Sequence, residues 1–147
     1  MLYATIKHQL ELDFQERHQL AILSELAEED KFLKSAARTM VLSNDKRAII
    51  SSDNVVIGFY IPTNVKFNGA NYSSITGLYL FSSYRGRGTM SKALKSFFRN
   101  NKPATVWIDD RNKDSIKLFT RLDFVKDILQ IHEGNSGHWY TLEKITT

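Results

Sequence analysis

The stretch "SSYRGRGTMSKALKSFF", residues 82–98, places two arginines and two glycines directly before a run of regularly spaced apolar residues. The apolar residues in this run are Met90, Ala93, Leu94, Phe97 and Phe98. Because this spacing puts them on one face of an α-helix, the face is predicted to be buried. The preceding "SITGLYLF", residues 74–81, is typical of a β-strand. The chain is therefore predicted to pass from a strand through a glycine-containing turn into a helix.

The turn between this strand and this helix has the properties of an anion-binding loop. The first turn of a helix has backbone N–H groups without partners inside the helix, and they lie at the positive end of the helix dipole. Such an end binds phosphate. Gly86 and Gly88 allow the backbone to curl and to approach a ligand closely. Arg85 and Arg87 add positive charge. The alternative is an ordinary charged turn, since the segment is neither a Walker loop nor a complete dinucleotide fingerprint.

The other elements predict an α+β fold with one mixed sheet. A helix over residues 13–28 is predicted to bury Leu20, Ile22, Leu23, Leu26 and Ala27. A helix over residues 112–122 is predicted to start at Asn112 as its N-cap and to bury Ile116, Phe119 and Leu122. The remaining predicted elements are a helix over 30–40, a hairpin over 47–62 that turns at Asp53-Asn54, a strand over 104–109, and a hairpin formed by 124–133 and 138–145.

Length and composition narrow the class of protein. A chain of 147 residues fits a single domain over residues 1–147. The absence of cysteine excludes a disulfide framework and a thiolate metal site, and no metal site is predicted. The first twenty residues carry charges every few positions, and no later segment is long enough to span a membrane, so a cytoplasmic location is expected. A net charge of +4 with interspersed acidic residues favours contact with an anion.

Two segments resemble the signatures of the GNAT family of N-acetyltransferases. The segment "LYLFSSYRGRGTMSKAL" resembles the family's acyl-CoA pyrophosphate loop, Arg/Gln-x-x-Gly-x-Gly/Ala between a central strand and a helix. Arg85, Gly88 and Met90 fall on its three fixed positions, although Met90 replaces the small residue expected at the last of them. The later "DDRNKDSIKLFTRLDF" is similar to a second signature, in which an asparagine opens a helix that ends in an aromatic residue and a Leu-Gly-Phe-like close. Both signatures in the right order are more specific than either alone.

The resemblance implies a fold, a cofactor and a reaction. The fold is a mixed, mostly antiparallel twisted sheet flanked by helices, with a splayed central strand pair. The reaction is transfer of an acyl group, most often acetyl, from acetyl-CoA to an amine by direct attack in a ternary complex. The backbone amides expected to hold the cofactor pyrophosphate are those of Gly86, Arg87, Gly88, Thr89 and Met90, with Arg85 beside them.

The resemblance also assigns roles to residues on either side of this loop. The backbone around Leu78 and Leu80 would pair with the pantetheine arm, and an N–H near Leu80 would polarise the thioester carbonyl. Asn112 would contact the pantetheine or the acyl end, or would serve only as a helix cap. Phe119 lies at a cofactor-side position where many members of the family have a tyrosine that protonates the leaving thiolate. Phenylalanine has no proton to give. Asp123 stands where the second signature usually has glycine.

The general base and the acceptor are left open by the sequence. Histidine exchanges protons near neutral pH, so His132 and His138 are the candidate bases, although both are also consistent with exposed hairpin positions. The acceptor amine belongs to a small molecule, a protein or a nucleic acid. A homodimer through the edge of the last hairpin is an expected mode of assembly.

Two other functions are consistent with the sequence. Lys92, Lys95 and Arg99 lie opposite the apolar face of their helix, where they would be solvated, hold the cofactor's 3′-phosphate, or follow the phosphates of a nucleic acid. A basic nucleic-acid-binding domain is therefore one alternative. The other is a GNAT-like domain that binds acyl-CoA without catalysis, which is suggested by the phenylalanine at position 119.

Overall fold

The computed structural model describes residues 2–28, 46–128 and 136–143. The strands in these ranges are β1 (Leu2–His8), β2 (Lys46–Ser52), β3 (Val55–Phe67), β4 (Ala70–Leu80), β5 (Ala104–Asp109), β6 (Val125–Lys126) and β7 (Gly137–Leu142). The α-helices are α1 (Phe14–Glu28), α2 (Thr89–Arg99) and α3 (Lys113–Arg121). None of these helices is long and apolar enough to cross a membrane.

The described strands form one seven-stranded sheet in the order β1-β2-β3-β4-β5-β7-β6. The pairs β1–β2, β2–β3, β5–β7 and β6–β7 are antiparallel. β4 and β5 are parallel and are in register only at Ser73 and Ala104, which lie near the starts of the two strands. The mixed, mostly antiparallel sheet with interleaved helices confirms the predicted α+β class.

Two compact units make up the chain. One consists of Met1–Pro62 with Ile75–Thr89, and the other of Thr63–Ser74 with Met90–Thr147. Each unit has its own buried cluster, described below. A single domain over residues 1–147 stays a prediction.

The chain begins with a strand, whereas the sequence pattern predicted a helix as the first element. β1 pairs with β2 along its whole length, from Leu2 opposite Ser52 to His8 opposite Lys46. The alternation of Leu2, Ala4 and Ile6 with Tyr3, Thr5 and Lys7 was a readable strand signal that was missed. Residues 4–6 and His8 are exposed. The predicted helix over residues 30–40 lies outside the described residues.

The core of the first unit lies beneath α1. Its buried residues are Leu12, Leu20, Leu23, Ala27, Ile49, Val56, Phe59, Ile61 and Tyr79. The helix starts with a reciprocal cap, in which the Glu16 amide donates to Asp13 Oδ1 at 2.7 Å and the Asp13 amide donates to Glu16 Oε1 at 3.1 Å. The prediction that Ile22 and Leu26 are buried is wrong, since they are 47% and 36% exposed. The buried stripe of α1 is therefore narrower than its apolar sequence suggested.

Two tight hairpins organise the middle of the chain. The predicted turn at Asp53-Asn54 is confirmed, and both residues have positive φ, 51° and 66°. The second turn, at Asn68-Gly69, also has two positive φ values, 52° and 79°, and it joins β3 to β4. The sequence analysis missed this turn, although Asn-Gly is a strong hairpin signal. β3 consequently runs on past Pro62, and β4 begins earlier than the predicted residue 74.

The core of the second unit is aromatic. The ring of Phe98 lies 5.0 Å from the ring of Phe124 and 6.4 Å from that of Phe119, measured between centroids in edge-to-face arrangements. The residues of α2 that are buried are Met90, Ala93, Leu94 and Phe98. The predicted inward face of α2 is thus confirmed, with Phe97 half-buried. In the next helix Phe119 and Leu122 are buried as predicted, whereas Ile116 is only half-buried.

The end of α3 forms a Schellman motif around Asp123. The Phe124 amide donates to the Phe119 carbonyl at 3.0 Å, and the Asp123 amide donates to the Thr120 carbonyl at 3.1 Å. The rings of Phe124 and Phe119 are 5.3 Å apart, which is the apolar contact typical of this motif. Asp123 has φ +70°, the left-handed conformation that glycine adopts most readily. The turn expected at a glycine is therefore kept by an aspartate.

Replacement of aspartate by glycine is predicted to have opposite effects on stability at the start of α3 and just after its end. Asp123→Gly should raise the free energy of unfolding by about 0.5–1 kcal/mol, because a side chain disfavours the left-handed conformation. Asp114→Gly, in the first turn of α3, should lower the free energy of unfolding by about 0.5–1 kcal/mol, because glycine is a poorer helix former and because a carboxylate is lost from the positive end of the helix. Urea unfolding midpoints of both variants check the prediction. A lower midpoint for Asp123→Gly would contradict it.

Candidate functional site

The end of β4 has a backbone edge that faces away from β3. The Phe81 amide donates to the Ile57 carbonyl at 2.8 Å, so at this position the chain bonds to β3. Backbone groups alternate between the two edges of a strand. The N–H groups of Leu80 and Leu78 therefore point toward the opposite edge, as their predicted role requires. Contact of these two residues with a pantetheine arm stays a prediction.

A glycine sets how closely β3 approaches the end of β4. A Cβ atom at Gly58 would lie 2.6 Å from the Tyr79 carbonyl oxygen, which is closer than real contacts allow. Only glycine therefore permits this spacing. The sequence analysis did not single out Gly58, although an isolated glycine inside a strand pattern is a signal of close backbone approach.

Arg85 connects the loop back to the strand that precedes it. Its Nε donates to the Leu80 carbonyl at 2.7 Å, and its guanidinium lies 5.1 Å from the centroid of the Tyr79 ring. The sequence analysis predicted that Arg85 adds charge for a ligand. Part of its hydrogen-bonding capacity is instead used within the protein, where it determines the geometry of the junction between strand and loop.

The loop that follows has two residues in the left-handed conformation. Gly86 has φ +78° and Gly88 has φ +73°, and a Cβ atom at either position would have no protein atom within 4 Å. The backbone angle thus strongly favours glycine at both positions, and the space beside the loop is open. Arg87 is exposed, and Thr89 begins α2. Met90 is only 7% exposed and points into the core, so its side chain does not crowd the loop.

In the second unit, Asn112 caps α3 at the end of the turn that follows β5. Its Oδ1 accepts a hydrogen bond from the Ser115 amide at 3.3 Å, which confirms the predicted N-cap. Its own amide donates to the Asp109 carbonyl at 2.9 Å. Contact of Asn112 with a cofactor stays a prediction.

Asp109 stabilises this turn through its side chain. Arg111 donates to both carboxylate oxygens, from Nε at 3.0 Å and from Nη2 at 2.8 Å, and Ser136 Oγ lies 3.3 Å away. The Arg111 amide also donates to Oδ1 at 2.9 Å. Hydrogen bonds from the side chain and the backbone of Arg111 hold the pKa of Asp109 well below its usual value. The Asp109 carboxylate therefore holds the turn through hydrogen bonds to Arg111.

His138 lies beside this turn and contacts Asp110. Its Nδ1 is 2.7 Å from Asp110 Oδ1. On β7 it stands opposite Ile108 of β5, and the Asp110 amide donates to the Ser136 carbonyl at 2.8 Å. Burial, together with the nearby charge of Asp110, raises the pKa of Tyr140. The other predicted base, His132, lies outside the described residues.

The predicted site residues therefore form two groups. Leu78, Leu80 and the loop through Thr89 belong to the first unit. Asn112, Phe119 and His138 belong to the second, where Asn112 and His138 adjoin the same turn after β5.

The sequence matches the pattern of the Acetyltransferase (GNAT) family over residues 5–124. The chain belongs to the GNAT family of acetyltransferases. The match includes both signatures and most of the sheet described above. No curated protein matches the sequence.

Solved structures of acetyltransferases are similar to the GNAT fold of this chain. RimL, a ribosomal L7/L12 alpha-N-protein acetyltransferase in complex with coenzyme A, has a TM-score of 0.69 and 15% identity, covering 95% of this chain and 93% of that chain. An N-acetyltransferase from Staphylococcus aureus Mu50 has a TM-score of 0.65 and 18% identity, with coverages of 94% and 100%. Naa50 from Arabidopsis thaliana, in complex with the bisubstrate analogue CoA-Ac-MVNAL, has a TM-score of 0.61 and 16% identity, with coverages of 96% and 99%.

The GNAT position often occupied by tyrosine is part of the aromatic core here. Phe119 is 3% exposed and packs against Phe98 and Phe124. Its ring thus has a structural role, and a contact with cofactor stays a prediction.

Basic residues line the solvent faces of two helices in the second unit. The exposed residues are Lys92, Lys95 and Arg99 on α2, and Lys113, Lys117 and Arg121 on α3. None of them forms a hydrogen bond or ion pair with another described side chain. The helices contact each other through Phe98 and Phe119, so the rows belong to neighbouring helices. The sequence analysis missed the row on α3, although its spacing of four residues was a readable signal.

The two loop arginines are predicted to differ in their effect on stability. Arg85→Ala should lower the free energy of unfolding by about 1 kcal/mol, because it removes the hydrogen bond to Leu80 and the contact with Tyr79. Arg87→Ala is the matched control and should change the free energy of unfolding by less than about 0.5 kcal/mol, because its side chain is exposed. Denaturant unfolding of both variants measures the difference. Equal losses would show that the Arg85 contacts do not stabilise the junction.

Proposed function

We propose that this GNAT protein transfers an acetyl group from acetyl-CoA to an amine by direct attack in a ternary complex. The observation that carries the proposal is the loop before α2, where two glycines with positive φ leave open space beside the backbone. This loop lies within the segment that matches the family. Acetyl-CoA supplies the acetyl group as a thioester.

The loop suits the pyrophosphate of coenzyme A. A Cβ atom at position 86 or 88 would project into the open space where a ligand approaches. The exposed Arg87 side chain adds a positive charge that attracts phosphate. The proposed pyrophosphate ligands are the backbone amides of Gly86, Arg87, Gly88, Thr89 and Met90, at the positive end of the α2 dipole.

The end of β4 is proposed to hold the pantetheine arm and to polarise the thioester. The N–H of Leu80 points away from β3, and the Leu80 carbonyl already accepts a hydrogen bond from Arg85. The N–H of Leu80 is therefore the polar group proposed to donate to the thioester carbonyl. A fixed donor at the atom where negative charge develops is an effective form of catalysis.

Proton transfer is proposed to involve His138 and no side-chain acid at position 119. An amine attacks only when it is neutral, so a base must accept a proton from the ammonium form. His138 takes this role, and His132 is the second candidate. Because Phe119 has no proton to give, the thiolate leaves with help from water and from the loop dipoles.

The acceptor is proposed to be an amine whose class remains to be identified by assay. Two of the similar solved structures are a protein N-terminal acetyltransferase and an acetyltransferase bound to a CoA–peptide analogue. Peptides with free N-termini are therefore the first members of the acceptor panel, followed by lysine peptides and small amines. The cytoplasmic location and the homodimer stay predictions from the sequence.

Binding of acetyl-CoA and its dependence on the loop test the cofactor assignment. At a hundred times its dissociation constant, acetyl-CoA should add about 2.7 kcal/mol to the free energy of unfolding. Gly88→Val should abolish this gain, because a β-branched side chain fills the open space and resists a positive φ. Gly69→Val is the matched control, since Gly69 also has positive φ and open space but lies in the β3–β4 hairpin. It should lose stability while acetyl-CoA still adds its full increment.

Measurement of turnover then distinguishes an enzyme from a domain that binds acetyl-CoA without catalysis. Release of free thiol from acetyl-CoA is measured with each amine of the panel, with Gly88→Val as the inactive reference. Binding of acetyl-CoA without turnover on any amine would contradict acetyl transfer and favour the binding-only alternative. Affinity that is unchanged in a folded Gly88→Val protein would contradict the cofactor assignment itself.

A second candidate function is nucleic-acid binding, which is favoured by the two basic rows on α2 and α3. If these rows contact phosphates, affinity for duplex DNA or RNA should fall steeply with salt. Replacing Lys92, Lys95 and Arg99 by alanine should weaken binding and make the salt dependence shallower, by nearly one logarithmic unit for each lost phosphate contact. The same change to Lys113, Lys117 and Arg121 tests the second row. Equal salt slopes for all three proteins would exclude a phosphate-binding role for these rows.

A further inference from the structure

The pair formed by Asp110 and His138 is held by two segments of backbone. Asp110 follows the last residue of β5, and His138 lies near the start of β7. The two strands pair in register from Ala104 opposite Leu142 to Asp109 opposite Gly137, and the Asp110 amide donates to the Ser136 carbonyl. Continuous backbone pairing therefore holds the two residues so that His138 Nδ1 lies 2.7 Å from Asp110 Oδ1.

The turn after β5 also orients Asp110. The Asp109 side chain accepts hydrogen bonds from the backbone and the guanidinium of Arg111, and the Asp109 carbonyl accepts one from the Asn112 amide. These bonds restrict the backbone on both sides of Asp110. The carboxylate of Asp110 is thereby held toward the ring of His138.

This contact determines which ring nitrogen of His138 carries the proton. An ionised carboxylate can only accept hydrogen bonds, so the neutral imidazole must carry its N–H on Nδ1. The lone pair is then on Nε2, which is the atom able to take a further proton. When the ring becomes charged, the adjacent carboxylate stabilises it.

We infer that Asp110 is a positioning residue for His138, which it holds with Nε2 available as the proton acceptor. The inference rests on the proposed acetyl transfer. In that reaction one proton passes from the acceptor ammonium to Nε2, and the neutral amine nitrogen forms a bond to the acetyl carbon. The bond from that carbon to sulfur then breaks, and the acylated nitrogen loses its second proton to water. The sulfur leaves as thiolate, and His138 later releases its proton to water.

The position of the pair in the second unit supports this role. Asn112, which the family resemblance assigns to the pantetheine or the acyl end, caps the helix that starts directly after the same turn. His138 and Asn112 thus both contact the turn that Asp109 closes, His138 through Asp110 and Asn112 through its own amide. His138 remains partly exposed, so the ring is accessible to a proton donor.

The tautomer of His138 tests the inference without any measurement of activity. Long-range ¹H–¹⁵N spectra of the full chain should show Nδ1–H and an unprotonated Nε2 for the neutral His138 ring, with His138→Gln used for assignment. Asp110→Ala should shift the neutral ring to the Nε2–H form or to a mixture, and Asp110→Glu should largely restore the wild-type form. Asp114→Ala is the matched control, because it removes a carboxylate from the first turn of α3, and it should leave the spectrum unchanged. A wild-type tautomer in Asp110→Ala would overturn the inference.

Kinetics with the most active amine provide the second readout. Asp110→Ala should lower kcat by about 10- to 100-fold without changing the KM for acetyl-CoA, because a misplaced base affects proton transfer more than cofactor binding. Asp110→Glu should recover part of the rate, and Asp114→Ala should match the wild type. The double variant of Asp110→Ala with His138→Gln should be no slower than His138→Gln alone. Independent, additive losses would overturn the inference.

The inference and the proposed function fail in different ways. A wild-type protein that binds acetyl-CoA and turns over no amine contradicts acetyl transfer. A protein that turns over an amine, with the same kcat and the same tautomer in Asp110→Ala, contradicts the role of Asp110 alone.

Discussion

The backbone at the end of β4 is the constraint on which the candidate site depends. Gly58 allows β3 to lie against the Tyr79 carbonyl, and the Phe81 amide donates a hydrogen bond to the Ile57 carbonyl. These two contacts determine where the end of β4 lies relative to β3. Arg85 then binds the Leu80 carbonyl and determines how the loop leaves the strand. The left-handed glycines then lead the chain into α2. A change in any of these contacts would displace the whole group of backbone amides that are proposed to bind the cofactor.

In this chain, three residues of the family signatures have clear structural roles. Arg85 occupies a fixed position of the loop pattern and ties that loop to its strand. Asp123 takes the left-handed angle expected of glycine, and Phe119 packs against Phe124 to complete the Schellman motif. Because the turn geometry is kept, the departures from the family pattern leave the fold intact. The replacement of tyrosine by phenylalanine removes a proton donor but keeps the aromatic packing.

In the proposed mechanism, proton transfer is the step that departs most from the family pattern. Position 119 offers no side-chain acid, so the proposed reaction relies on a good leaving group and on a base. The turn after β5 supplies a candidate, because Asp109 stabilises the backbone and Asp110 contacts His138. One turn thus connects a structural carboxylate, the proposed base and the helix cap Asn112.

Local patterns in the sequence determined the elements whose evidence is contained in a few neighbouring residues. They predicted the inward faces of α2 and α3, the Asn112 cap, the turn at Asp53-Asn54 and the glycine loop, and the two signatures indicated the family. The Asn68-Gly69 hairpin was equally readable and was missed. Tertiary structure alone decided the features that depend on distant partners. β1 pairs with β2 along its whole length, and α1 buries only a narrow stripe that leaves Ile22 exposed. The contact of Asp110 with His138 likewise exists only because β5 and β7 pair. The residue pattern of a strand indicates the strand itself but does not identify which distant segment pairs with it.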